Sequence, residues 1–159
     1  MKVFLSHQKA DSELASRIAR HLKVFHQIEC YLDLIDPNAS SAGDQLGEYL
    51  RNVLSECTQL MAVVSSNTKQ SWWVPWEIGI ATEKDYPIAT FAGDATDLPE
   101  YLKKWPYLRD NQELDKYATI SKSTETDFSS RKQYLSESTA RRYSTRDFHR
   151  SLRSSLNQL

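Results

Sequence analysis

Leu60-Met61-Ala62-Val63-Val64 is apolar at five successive positions. A strand with one wet face alternates polar and apolar residues; one that is apolar throughout is buried on both faces, as in the middle of a parallel sheet. Upstream, Lys2 to Ser6 reads as a first strand, and Asp11 or Ser12 is placed to cap a helix that buries Leu14, Ile18, Leu22 and Phe25. Ile28 to Leu32 reads as a second strand. Asp33 to Asp44, with Pro37, Asn38 and Gly43, is a loop long enough to suggest function. A second helix carries Leu46, Leu50, Val53 and Cys57 on one stripe. Downstream of the apolar run, Trp72 to about Asp85 is predicted as a third helix and Pro87 to Ala92 as a fourth strand, and Phe148, Leu152, Leu156 and Leu159 give the chain a terminal amphipathic helix. Strands and helices alternating at this spacing mean right-handed βαβ units and a doubly wound open α/β sheet, mainly parallel, with helices on both faces. Ligands of such sheets bind beyond the carboxyl ends of the strands. Here those ends are Ser6-His7, Asp33 with the loop after it, and Ser65-Ser66-Asn67.

The 159 residues suit one domain. Its 20 basic and 21 acidic side chains leave a net charge of −1, too balanced for a protein that coats nucleic acid or an anionic membrane. The first strand is too short for a signal-peptide core, and no apolar run approaches the ~18 residues of a membrane span, so a cytoplasmic location is expected. Cys30 and Cys57 suit neither a disulfide framework nor a zinc ribbon. His21 and His26 have no Cys or acidic residue at metal-ligand spacing, so no metal is expected. Residues 119–146 hold 12 Ser/Thr, read as a connection leading to a terminal helix over 147–159. The stretch 128–159 is basic, with seven Lys/Arg against two Asp/Glu, and reads as a solvated helix face.

Val3-Phe4-Leu5-Ser6-His7 with Asp11, Tyr31-Leu32-Asp33, Gly43-Asp44-Gln45-Leu46, Val63-Val64-Ser65 and Ser71-Trp72-Trp73-Val74-Pro75-Trp76-Glu77-Ile78 follow one another in an order and spacing that resemble a TIR domain. They match that family's first strand, BB loop, central strand and Trp-x-x-x-Glu helix. The resemblance implies a flavodoxin-like TIR fold spanning 1–159 as a single domain, and it is best over 1–92. The loop over Asp36 to Ala42 departs from the charged, Leu-containing stretch of many relatives.

Many TIR domains cleave NAD+ between nicotinamide and ribose, and others only assemble with further TIR domains. The glutamate of the Trp-x-x-x-Glu motif separates the two classes, and here it is Glu77. The resemblance therefore implies an NAD+ nucleosidase or ADP-ribosyl cyclase with Glu77 catalytic, NAD+ as substrate and no further cofactor. Because the nicotinamide ring is already cationic, it leaves as a neutral pyridine and needs no general acid, unlike ordinary glycoside hydrolysis. One fixed carboxylate can then favour the cation that develops on the ribose. Ser6 and His7, at the end of the first strand, are candidate substrate contacts; Ser6 could equally bond the loop backbone. Asp33 could bind substrate or cap the turn of the BB loop. Trp73, one helical turn before Glu77, is a candidate pocket wall or a core residue. The chain resembles the standalone bacterial TIR proteins of Thoeris-type antiphage defence, which implies self-association through TIR–TIR contacts and a separate effector protein. The alternative is a non-catalytic TIR module that assembles with other TIR domains.

Overall fold

The computed structural model describes residues 1–32, 43–66, 68, 73–93 and 97–158. Five strands, β1 (Lys2–Ser6), β2 (Glu29–Leu32), β3 (Gln59–Val63), β4 (Ile88–Phe91) and β5 (Tyr107–Leu108), form one parallel sheet in the order β2-β1-β3-β4-β5. This is the flavodoxin-like order, and the chain reverses its winding between β1 and β3. All five residues of β3 are buried, as an all-apolar strand requires. The short β5 was not foreseen, because two residues carry no periodicity of their own.

Helices α2 (Gly43–Ser55) and α3 (Trp73–Glu83) cover one face. Leu46, Leu50, Leu54, Val74, Ile78 and Ala81 meet Phe4, Leu60, Ala62 and Ile88 there. The helices α1 (Ser12–His26), α4 (Asn111–Arg131) and α5 (Glu137–Ser155) cover the other, packing Ile18, Leu22, Tyr117, Phe148 and Leu152 on Val3, Leu5, Met61 and Val63. Because strand side chains alternate, the odd-numbered residues of β1 face the second layer and Phe4 and Ser6 face the first. α1 stops at Gln27, whose φ of 57° is left-handed, with Gln27 N–H donating to Lys23 O and Ile28 N–H to Leu22 O.

Phe25, expected on the buried stripe of α1, is 70% exposed. The buried stripe is Ala15, Ile18 and Leu22, and the Phe25 ring instead tilts against His21 with centroids 4.8 Å apart.

The Ser/Thr-rich stretch expected as a connection over 119–146 is helical except for a turn over 132–136. It forms the second half of α4 and the first half of α5, so the last helix begins at Glu137 and not near 147. Hydroxyls disfavour helices when they compete for backbone groups, but here they bond the carbonyl one turn back: Thr119 to Asp115, Thr124 to Ile120, Thr126 to Lys122 and Ser130 to Thr126. Others are buried. Ser121 and Tyr117 both donate to Oε1 of buried Gln59, at 3.0 and 2.8 Å, tying α4 to the start of β3.

α5 is fastened to the sheet. Gln158 receives Tyr107 N–H at 3.0 Å and donates back to Tyr107 O at 2.6 Å, occupying the edge of β5 as a neighbouring strand would. Ile88 N–H donates to His149 Nε2 at 3.1 Å. Burial, reinforced by the charges of Arg153 and Lys104, lowers His149 from its ordinary 6.5 to about 4. Between these values an unfolded chain takes up a proton that the folded one refuses, so stability falls as pH drops from 6.5 and the loss is complete below about 4. The full loss is about 3 kcal/mol. Urea midpoints at pH 7.5 and 4.5 should therefore differ less for His149→Gln than for the unchanged chain; an equal difference would remove His149 from the acid response.

Burial pushes the Cys30 thiol up to about 12 and Cys57 to about 11, so neither is a ready nucleophile. Among the described residues no helix is long and apolar enough to cross a membrane.

Candidate functional site

The reversal point between β1 and β3 places Ser6 at the carboxyl end of β1, beside the helix that follows β3. α3 begins at that same edge, and Glu77 lies in its second turn on the side facing the sheet. Ser6 and Glu77 are both fully buried, and Ser6 Oγ donates a hydrogen bond to Glu77 Oε2. Two residues 71 apart in sequence thus form a buried hydroxyl–carboxylate pair where an open α/β sheet binds its ligands. Most glutamates are exposed, and a dry carboxylate costs several kcal/mol unless bonded, so this one is held against a strong pull toward water.

His7 follows β1 and is 5% exposed. Its Nδ1–H donates to Leu5 O at 2.8 Å, which fixes the orientation of the ring. Asp11, expected to cap α1, occupies the cap position but makes no side-chain bond to the helix. Its carboxylate instead accepts from Thr68 Oγ1 at 3.2 Å, and Thr68 Oγ1 accepts Ser65 N–H at 2.9 Å. That bridge pins the β1–α1 turn to the turn after β3, one on each side of the reversal point. Sequence inspection missed Thr68, since only its spatial partner gives it a role.

Trp76 is 38% exposed and turns toward α2, where a Cβ on Gly47 would sit 3.4 Å from its indole. It belongs to the α2–α3 contact. Asp33, the loop over Asp36 to Ala42, and the side chain of Trp73 lie outside the described residues. Among the described residues, Gln8 Nε2, just after His7, and Thr90 Oγ1, which the register sets in one row with Ser6 and Ala62, are buried near the carboxyl edge without a hydrogen-bond partner. A dry unpaired donor costs about 1–3 kcal/mol, which a ligand acceptor would recover.

Replacing Ser6 by Ala would leave the Glu77 carboxylate one donor short. Urea unfolding should show a loss of about 1–3 kcal/mol, and a change under 0.5 kcal/mol would mean the pair contributes no stability.

The sequence model of the TIR domain family matches residues 3–124, extending the recognisable pattern past 92 and into α4. A protein of Bacillus cereus (strain MSX-D12), named as a probable 3' cyclic ADP-D-ribose synthase, ThsB', is 26% identical over 145 residues, covering 84% of this chain and 71% of the relative.

Proposed function

Because the chain belongs to the TIR domain family, we propose that it consumes NAD+, with Glu77 as the catalytic carboxylate. One observation carries this reading: the motif glutamate is fully buried at the reversal point of the sheet, with its carboxylate held by Ser6. The name of the Bacillus cereus relative, a synthase of a cyclic ADP-ribose, supports the same substrate.

In this reading the bond between ribose C1' and the nicotinamide nitrogen breaks, and its electron pair leaves with nicotinamide as a neutral pyridine. Positive charge develops at C1' and the ring oxygen. Glu77 answers that charge at short range in a dry setting, where the attraction is far stronger than in water and appears only as the charge develops. Ser6 keeps the carboxylate from swinging, so little reorganisation is needed at the moment of reaction. His7 Nε2 and Gln8 Nε2 stand at the same edge as substrate contacts; Asp33 and Trp73 are proposed contacts from the sequence. Glu77 has no exposed surface, so substrate reaches it only when the side chains covering it shift.

The cation at C1' is then captured by water, giving ADP-ribose and a proton, or by an adenine nitrogen or ribose hydroxyl, giving a cyclic or transferred product. The function extends to antiphage signalling, with a separate effector protein reading the product and self-association through TIR–TIR contacts completing the cleft. The test is incubation of the purified chain with NAD+ at high protein concentration, following nicotinamide by chromatography. Release that depends on Glu77 supports the enzyme. Its absence across the concentrations at which the chain self-associates favours a non-catalytic TIR module.

A further inference from the structure

His21 and His26, on α1, converge on one carboxylate from α4. Their Nε2 atoms lie 2.7 and 2.6 Å from Asp115 Oδ1, and the three ligand atoms all fall within 4.8 Å of one another. The imidazoles are largely covered, with side-chain exposures of 15% and 18%, whereas Asp115 is half exposed at 49%. The two rings lie 5.9 Å apart, and His21 is further braced by Phe25.

We propose that His21, His26 and Asp115 bind a first-row transition ion of the Zn²⁺ type, clamping α1 to α4. Two imidazole nitrogens and one carboxylate oxygen are a donor set that such ions favour, leaving a fourth position for water. Bonds of about 2.0–2.1 Å in a tetrahedral site set ligand atoms about 3.4 Å apart, so an ion needs the Asp115 oxygen to withdraw by less than about 1 Å. The half-exposed carboxylate is free to do so, and the two imidazole nitrogens, within 4.8 Å of each other, close to about 3.4 Å around the ion. Binding moves each Nε2 proton to Nδ1 or to solvent, and no electron is transferred. A cleft of about 600 Å³ borders His21 and gives the ion a route in. Arg17 and Arg20 line that cleft and oppose a cation, a repulsion that added salt screens. The site stands on the opposite layer of the sheet from Glu77, and the inference does not rest on NAD+ cleavage.

The test uses tag-free, chelator-treated protein titrated with ZnCl2 by calorimetry, alongside His21→Gln, His26→Gln and Asp115→Asn. The unchanged chain should bind one equivalent, and its Tm should rise by about 5–10 °C at 100-fold excess over Kd. Each variant should lose at least about tenfold in affinity, as expected for a lost metal ligand. Cobalt in place of zinc should give visible d–d absorption with no thiolate charge-transfer band. A variant whose metal-free Tm departs from the unchanged chain is set aside for the other two. No saturable binding, affinity unchanged in the folded variants, or a thiolate band from Cys30 or Cys57 would each overturn the site and leave a histidine–carboxylate hydrogen-bond cluster.

Discussion

Glu77→Gln should lower nicotinamide release from NAD+ by about 10³-fold or more while the protein stays folded. The amide has the size of the carboxylate, and its oxygen can still accept the hydrogen bond from buried Ser6, so the geometry around α3 survives. What disappears is the negative charge that answers the cation forming at C1'. Loss of one preorganised partner to a developing charge costs about 10²–10³ in rate even when that partner is a neutral donor, and a full charge in a dry site is worth more. Stability should hold or rise, because burying an amide costs less than burying a carboxylate. That combination separates catalysis from folding: a variant with Tm at or above the unchanged chain and with release lost places Glu77 in the reaction. Release within about threefold of the unchanged chain would take Glu77 out of it.

Phe148→Ala should destabilise the chain by about 3–5 kcal/mol. Phe148 is 1% exposed and meets the Tyr117 ring edge-on at 5.9 Å, in the layer formed by α1, α4 and α5. Its removal leaves a cavity between α5 and α4 that the neighbours cannot collapse into, since Tyr117 is tied to Gln59 by its hydroxyl. Of a typical total stability of about 5–15 kcal/mol, this is a large share. The expected reading is a urea midpoint shifted strongly downward with an unchanged slope. A loss below 1 kcal/mol would mean that α5 is an appendage rather than part of the core.

The fold was legible where burial leaves a local pattern. Leu60 to Val64 announced a central strand by composition alone, and the stripes of α2 and the end of α5 carry helical spacing strong enough to read unaided. The Ser/Thr-rich halves of α4 and α5 were opaque because hydroxyl residues are turn formers until their side chains bond the preceding turn or a buried partner such as Gln59. Glu77 was legible as part of a motif, yet its partner Ser6 could be paired with it only by the parallel register that brings β1 beside β3. Asp115 shows the limit most plainly. Ligand spacing is a test of sequence neighbours, and this carboxylate stands 94 residues from His21 and 89 from His26, on another helix of the same layer.

The most direct measurement of the central claim is a mass balance: NAD+ added to the purified chain over a wide range of protein concentrations, with nicotinamide and remaining NAD+ quantified in the same samples. One nicotinamide should appear for each NAD+ consumed, at a rate that rises with assembly of the chain, and none should come from the Glu77→Gln protein. NAD+ left untouched at every concentration, or consumed equally by both proteins, would contradict it.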